Sequence, residues 1–85
     1  MRFKGKSALV CGAGGGIGLA TARGLLAAGL DVALADIKDE PQGLADGPGR
    51  ASYYQGDLSN EAFVRSVVEG AASSQGGIDY LVNTT

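Results

Sequence analysis

The most informative stretch of the chain reads Ser7-Ala8-Leu9-Val10-Cys11-Gly12-Ala13-Gly14-Gly15-Gly16-Ile17-Gly18. Its first five residues are nearly all apolar and stop abruptly at glycine, a pattern typical of a strand buried on both faces of a parallel sheet. Six of the 15 glycines in the 85-residue chain lie within its first 18 residues. The stretch therefore predicts a buried strand followed by a glycine-rich loop.

The residues after this loop continue as a helix and a second strand. A stripe of small and apolar residues at helical spacing is typical of one amphipathic helix, and it comprises Ile17, Ala20, Gly24, Ala27 and Ala28. Gly29 stands where a helix favours a left-handed residue. Residues 32–35 are again all apolar and stop at Asp36, which predicts a second buried strand. Strand, helix and strand in this succession form a βαβ unit.

The second part of the chain continues the alternation. Residues 37–50 hold both prolines and three glycines, so we expect at most a short helical turn near residues 42–45. Residues 51–55 predict a third strand. Ser59 or Asn60 can cap a second helix that ends at Gly76-Gly77, and residues 78–83 predict a fourth strand. The apolar positions of that helix keep helical spacing: Phe63, Val64, Val67, Val68, Ala71 and Ala72.

This alternation predicts an α/β fold with a doubly wound parallel sheet and the strand order 3-2-1-4. The fourth strand would be an open edge, and its apolar Leu81 and Val82 would need further strands and helices to cover them. We therefore expect residues 1–85 to be the N-terminal part of a single larger domain.

A glycine-rich loop between a buried strand and a helix is where phosphate groups meet the free N–H groups and the positive end of the helix dipole. A merely flexible linker is the alternative, but it would cost backbone entropy at a place where two buried elements meet. A Walker-type loop is excluded because Gly5-Lys6-Ser7 precedes the strand instead of following it. The loop therefore predicts a dinucleotide site.

Composition excludes several classes of function. A net charge of −2 without a basic cluster argues against nucleic acid. One cysteine and no histidine exclude an internal disulfide, a Cys/His zinc site and a hydrolase triad, so we expect no metal. A reduced, cytoplasmic setting is the simplest one for such a chain. No stretch approaches the roughly 20 apolar residues of a membrane span, so we expect no membrane partner.

Two further segments complete a resemblance to a known family. The pattern Gly-x-Gly-x-x-Gly fails because Ile17 stands at its third glycine, whereas Cys11 to Gly18 resembles the Thr-Gly-x-x-x-Gly-Ile-Gly motif of the short-chain dehydrogenase/reductase family, with cysteine replacing threonine. Gly56-Asp57-Leu58-Ser59 is similar to the family's Asp-Val/Leu step. Residues 79–85 resemble its Asp-x-Leu-Val-Asn-Asn-Ala-Gly segment, with Thr84 and Thr85 replacing the second Asn and the Ala.

The resemblance implies the N-terminal half of a Rossmann-like domain and a set of residues that hold the ADP half of the cofactor. In this sequence the implied set is Gly12, Gly14, Gly15, Gly16, Ile17, Gly18, Asp36, Ile37, Asp57, Leu58 and Asn83. In the family Asp57 and the N–H of the next residue contact adenine, although Asp57 could also simply help to cap the second helix. Cys11 is interpreted as a small buried hydrophobe and not as a reactive thiol.

Asp36 decides the predicted cofactor. It follows Gly18 at about the 20-residue spacing at which a carboxylate accepts hydrogen bonds from the adenosine ribose, and it would repel a 2′-phosphate. NADP-preferring relatives usually carry a basic residue at the places held here by Gly15 and Ile37. NAD is therefore the predicted cofactor, with Lys38 as the one nearby basic residue and an Asx-type turn at Asp36 as the structural alternative.

Family members interconvert an alcohol and a carbonyl by hydride transfer, using a Ser, a Tyr and a Lys that come later in the family's chain. The resemblance therefore implies an NAD-dependent oxidoreductase acting on a secondary alcohol or a ketone, a homotetramer or homodimer, and no catalytic residue within residues 1–85. Tyr53, Tyr54 and Tyr80 have no lysine four residues on and are interpreted as core or edge aromatics. The alternative is a catalytically silent NAD-binding sensor or partner-binding module.

Overall fold

The computed structural model describes residues 6–13, 15–44 and 48–84 as four strands and two helices. In chain order these elements are β1 (Ser7–Cys11), α1 (Gly16–Ala27), β2 (Asp31–Asp36), β3 (Ala51–Gln55), α2 (Glu61–Gln75) and β4 (Tyr80–Asn83). Every strand pair is parallel, and the order across the sheet is β3-β2-β1-β4. The predicted α/β fold and its strand order are confirmed.

The boundaries agree with the sequence patterns except at two strand ends. β2 begins at Asp31, one residue before the apolar run, and β4 begins at Tyr80 instead of Ile78. Ahead of β4, the Asp79 carboxylate accepts hydrogen bonds from the N–H groups of Lys6 at 2.8 Å and Ser7 at 3.2 Å. The Ser7 N–H therefore donates to a side chain, that of Asp79, and the regular pairing of β4 with β1 starts one residue later, at Ala8 and Tyr80.

The sheet divides the core into two layers, since successive strand residues point to opposite faces. One face of β1 and β2 packs with α1 and contributes Ala8, Val10, Val32 and Leu34. The other face packs with Val67 and Ala71 of α2 and contributes Leu9, Ala33 and Ala35. Burying a side chain such as Leu34 contributes roughly 1.5–3 kcal/mol. This burial explains why the two central strands carry apolar residues on both faces.

Helix α1 turns a different face to the core from the one that its small-residue stripe suggested. Its buried residues are Gly18, Ala22, Leu25 and Leu26, whereas the residues of the predicted stripe are all exposed: Ile17, Ala20, Gly24, Ala27 and Ala28. The interpretation of that stripe as the apolar face was wrong. Nearly every residue of α1 is small or apolar, so helical spacing fits both faces, and the face with two leucines buries more apolar area.

The exposed stripe is not isolated on the surface. Its residues from Ala20 to Ala28 line an open, mostly apolar groove whose other side is formed by Tyr80 and Val82 of β4. The edge position of β4 predicted from the sequence is confirmed, and Leu81 on the opposite face of that strand is 67% exposed.

The connecting segments follow the turn and cap signals. The described residues of segment 37–50 contain only a short turn at residues 42–44, and Ala45 of the predicted turn lies outside the described residues. Asn60 is the cap of α2, because its side chain accepts a hydrogen bond from the Phe63 N–H at 3.0 Å. Gly29 has positive φ after α1, as predicted, and Gly76, at the predicted end of α2, has positive φ as well. Within the described ranges, neither helix combines the length and the apolar character needed to cross a membrane.

Candidate functional site

The predicted site residues lie along the carboxyl edge of the sheet. In the strand register Cys11 at the end of β1 pairs with Ala35 on one side and with Asn83 on the other, and Asp36 pairs with Gln55. The N–H of Gly56 continues this edge by donating to the Asp36 carbonyl at 2.9 Å. Because all four strands are parallel, the loop after β1 and the residues that follow β2, β3 and β4 come together.

The glycine loop is anchored to the end of β2. The N–H groups of Gly12 and Ala13 both donate to the Ala35 carbonyl, at 2.8 and 3.2 Å. Gly12 has φ 84° and Gly16 has φ 59°, a region that favours glycine because a Cβ would be strained there. Gly14 lies outside the described residues. The loop therefore leaves β1 through one left-handed glycine and enters α1 through another.

Gly18 brings the first turn of α1 directly against the loop. A Cβ on Gly18 would overlap the carbonyl oxygen of Gly12 and would lie 2.7 Å from Oγ1 of Thr84. The backbone of Gly18 thus packs directly on the backbone of Gly12, and this contact requires glycine at residue 18. Around Gly16, by contrast, an added Cβ would meet nothing within 4 Å. The outer side of the loop is open, while its inner side is closely packed.

Within the described part of the chain, no side-chain hydrogen bond caps the N-terminus of α1. Its cap residue is Gly15, which makes no side-chain hydrogen bond, and the first turn holds no acidic residue. In α2 the Asn60 side chain and Glu61 occupy the corresponding places. The positive end of α2 is thus satisfied by its own side chains, whereas α1 lacks an equivalent side chain among the described residues.

Asp36 ends β2 beside this loop and makes a local turn. Its Oδ1 accepts a hydrogen bond from the Lys38 N–H at 3.1 Å, which is the Asx-type turn considered as the structural alternative. An ionised carboxylate has about four acceptor sites on two oxygens, and this turn uses one of them. Ile37, which lies between Asp36 and Lys38, is 63% exposed, and Ile17 at the start of α1 is 78% exposed. Two large apolar side chains are therefore exposed, one at the start of α1 and one directly after β2.

Asp57 and Leu58 lie after β3 at the same edge. The Asp57 carboxylate accepts hydrogen bonds from the Ser59 hydroxyl at 2.7 Å and the Ser59 N–H at 2.9 Å, and these bonds hold the pKa of Asp57 below its ordinary value. The Asp57 side chain therefore stabilises the turn before α2, while Asn60 provides the cap itself. Leu58 is half-buried against the second core layer, close to Cys11.

Cys11 and Asn83 occupy paired positions at the ends of β1 and β4. Cys11 is half-buried and not fully buried as predicted, and this burial raises the pKa of its thiol, which agrees with its interpretation as an unreactive side chain. Both residues line a small apolar cavity between the sheet and α2, together with Leu9, Leu58 and Leu81. The Asn83 side chain is exposed at the edge of the sheet, next to the loop.

Three residues contribute to the site in ways that the sequence pattern left unassigned. Thr84 donates its hydroxyl proton to the carbonyl oxygens of Cys11 and Gly12, at 3.0 and 3.1 Å. The Tyr53 hydroxyl donates to the Lys38 carbonyl at 2.8 Å, and the Lys38 ammonium lies against Gly15. The departure of Thr84 from the family motif was a signal for the first of these contacts. No local pattern signals the other two, since their partners are 15 or more residues apart.

Comparison with known proteins gives one consistent result. The sequence model described as short chain dehydrogenase matches residues 6–85. A 2,5-dichloro-2,5-cyclohexadiene-1,4-diol dehydrogenase of Sphingobium indicum is 40% identical over 83 residues, which make up 95% of this chain and 33% of that protein. The chain thus spans about a third of the length of this relative.

Two solved structures are similar in fold and in sequence. L-Sorbose reductase from Gluconobacter frateurii, complexed with NADPH and L-sorbose, has a TM-score of 0.85 and 32% identity, covering 95% of this chain and 33% of that one. An NADH-dependent reductase complexed with NAD has a TM-score of 0.78 and 30% identity, covering 92% of this chain and 35% of that one. Neighbours of the same fold therefore include complexes with each dinucleotide.

Proposed function

Since this chain belongs to the short-chain dehydrogenase family, we propose that it holds the ADP half of NAD in an oxidoreductase that interconverts a secondary alcohol and a ketone. The family's relatives are dehydrogenases and oxidoreductases, which supports the reaction class. The neighbours bind either NAD or NADPH, so the choice of cofactor has to be argued from the residues of this chain.

One observation carries the proposal: the glycine loop that leads into the N-terminus of α1 is hydrogen-bonded at its start to the carbonyl of Ala35, the residue before Asp36. The N–H groups of the first turn and the helix dipole favour an anion such as a pyrophosphate. The carboxylate favours hydroxyl donors and repels an additional phosphate. A dinucleotide with a free 2′-hydroxyl presents both kinds of group, whereas a simple phosphate presents only one.

The residues of this chain fit the nucleotide by position and by chemistry. The glycine loop would let phosphates approach its backbone from the outer side, because a Cβ added at Gly16 would meet nothing within 4 Å. Asp36 would orient the adenosine ribose, and the edge at Asp57 and Leu58 would lie beside the adenine. The exposed side chains of Ile17 and Ile37 offer apolar surface to the rings of the nucleotide. When bound, the nicotinamide supplies the chemistry by accepting or giving a hydride.

The contribution of residues 1–85 is therefore binding and orientation. We propose that they are the N-terminal part of one dinucleotide-binding domain, that the catalytic residues are supplied from outside them, and that the protein is a cytoplasmic homo-oligomer acting on a small alcohol or carbonyl compound. The relatives are about three times as long as this chain, which supports this division of labour.

The cofactor preference can be tested on the purified protein with Asp36→Ala. We expect the wild type to bind NAD more tightly than NADP, and the variant to lose roughly 1–3 kcal/mol of NAD affinity while its NADP affinity stays constant or improves. Glu40→Ala removes the same charge from the same segment and should leave the preference within about twofold. Equal affinities of Asp36→Ala and wild type for both dinucleotides would reject the assignment of Asp36.

The reaction class needs a separate measurement. A panel of secondary alcohols with NAD, and of ketones with NADH, should give a change in nicotinamide absorbance for at least one pair. Binding of NAD combined with silence across a broad panel would instead support a catalytically silent module.

A further inference from the structure

Two side chains of β3 hold the residues that directly follow β2. The amide nitrogen of Gln55 donates to the Ile37 carbonyl at 3.3 Å and to the Asp39 carboxylate at 3.1 Å, which uses both of its protons. The Tyr53 hydroxyl donates to the Lys38 carbonyl at 2.8 Å. Residues 37–39 are therefore bonded to β3 at each of their positions, although they belong to no strand and to no helix.

These bonds replace the ones that a helix would make. A helical turn would bond each of these carbonyls to the N–H four residues further on. For Ile37 that residue is Pro41, which has no N–H, so a helix could not satisfy its carbonyl. Residues 37–41 are accordingly non-helical, and side chains of β3 supply the donors. The conformation of this segment thus depends on Tyr53 and Gln55 and not on local helix formation.

The same segment orients the carboxylate of Asp36. Its Oδ1 accepts a hydrogen bond from the Lys38 N–H at 3.1 Å, while the Lys38 carbonyl accepts the one from Tyr53. Burial, and then the charges of Asp36, Asp39 and Glu40, raise the pKa of Tyr53, so its hydroxyl remains protonated and able to donate. The orientation of the Asp36 carboxylate is therefore coupled, through the backbone of one residue, to a donor on the neighbouring strand.

We propose that Tyr53 and Gln55 are positioning residues that pre-organise the Asp36 carboxylate for the adenosine half of the nucleotide. The inference rests on the proposed function, in which Asp36 orients the adenosine ribose. Neither side chain needs to touch the nucleotide, because both act by holding residues 37–39 in one conformation before it binds. Without these bonds the segment would have to be ordered on binding, and the entropy of that ordering lowers the affinity.

The test compares two double variants of the purified protein. Tyr53→Phe/Gln55→Met removes the donors and nearly keeps the size of both side chains. Tyr54→Phe/Gln42→Met is the matched control, because it makes the same two chemical changes elsewhere. Tyr54 packs on the opposite face of the sheet from Tyr53, and Gln42 is exposed. Thermal unfolding of both double variants checks that the fold is retained.

The affinities for AMP and NAD are measured by isothermal titration calorimetry. We expect Tyr53→Phe/Gln55→Met to weaken both ligands about tenfold, and the control to stay within about twofold of the wild type. Hydrogen exchange of residues 37–44, followed by mass spectrometry without nucleotide, gives a second readout that does not depend on binding. Exchange in this segment should become faster in Tyr53→Phe/Gln55→Met and stay unchanged in the control.

A thermodynamic cycle with Asp36→Ala tests whether the two side chains act through Asp36. In the Asp36→Ala background, the loss of NAD affinity caused by Tyr53→Phe/Gln55→Met should shrink to within about twofold. A similar tenfold loss in both backgrounds would overturn the inference, since the donors of β3 would then act independently of the carboxylate. Equal affinities of the double variant and the wild type for AMP and NAD would overturn it as well.

A wild type that binds neither AMP nor NAD would instead reject the proposed function, and the positioning role of Tyr53 and Gln55 with it. In the other two failures the wild type still binds the nucleotide. The failure of this inference is therefore distinguishable from the failure of the proposed function.

Discussion

The Thr84 hydroxyl lies 3.1 Å from the carbonyl oxygen of Gly12 and joins the end of β4 to the start of the glycine loop. The same hydroxyl is 3.0 Å from the Cys11 carbonyl, and the Thr84 N–H donates to that carbonyl as well. A hydroxyl has one proton, so the two carbonyls share it. Thr84 therefore offers one hydrogen-bond donor at a position where the family usually has an asparagine, whose side chain offers two.

Replacing Thr84 should loosen the loop. Thr84→Val keeps the shape and removes the donor, and we expect a loss of about 1 kcal/mol in the free energy of unfolding, together with weaker dinucleotide binding. Thr84→Ser retains the hydroxyl and is the matched control. Urea unfolding measures the stability, and calorimetric titration with NAD measures the binding. If Thr84→Val and Thr84→Ser behave alike in both assays, the hydroxyl does not hold the loop.

Gly18 is the least replaceable residue of the loop. A Cβ there would overlap the Gly12 carbonyl, so Gly18→Ala must move α1 away from the loop, and we expect a loss of roughly 1–3 kcal/mol in the free energy of unfolding. Dinucleotide binding should fall further than the stability loss alone explains, because the first turn shifts.

Gly24→Ala is the internal control for this substitution. It lies on the exposed face of the same helix, with nothing within 4 Å of the added Cβ, and it should stabilise the protein by about 0.5–1 kcal/mol. Opposite signs for the two substitutions are expected in urea unfolding. A neutral effect of Gly18→Ala would contradict the close packing of Gly18 on Gly12.

Asp79 should make the stability of the protein depend on acid pH. Hydrogen bonds from the Lys6 and Ser7 N–H groups, and then from the Ser7 hydroxyl, hold the pKa of its carboxyl below the ordinary value. A carboxyl with a lower pKa in the folded state stabilises that state above the ordinary pKa of about 3.9, and the contribution disappears as the pH falls through the lower, folded-state pKa.

Asp79→Asn should therefore be less stable than the wild type at pH 7, and the difference should shrink as the pH falls below about 4. Unfolding curves across the range from neutral to acid pH provide the measurement, with Glu69→Gln on the exposed face of α2 as a control for the loss of one negative charge. A difference that stays constant with pH would show that the ionised carboxylate is not what joins β4 to β1.

Much of the fold follows from local pattern. The limits of β1 and β3, a cap of α2 at Ser59 or Asn60, the end of α2 at Gly76 and the left-handed Gly29 are all readable from the sequence, because each depends on residues within one turn or one strand. The strand order follows from the alternation of strands and helices together with the handedness of the crossovers. The buried face of α1 could not be predicted in the same way, since its sequence is apolar almost all round.

The candidate site likewise combines features that the sequence predicts with contacts that only the tertiary structure shows. The glycine spacing from Gly12 to Gly18 and the position of Asp36 after β2 were set by the sequence itself, because a tight turn and the end of a buried run are local properties. Which groups meet there was decided by tertiary structure: Thr84 reaches Gly12 across 72 residues, and the Lys38 ammonium reaches Gly15. The register of parallel strands creates these contacts, and register depends on how the whole sheet packs and not on any one segment.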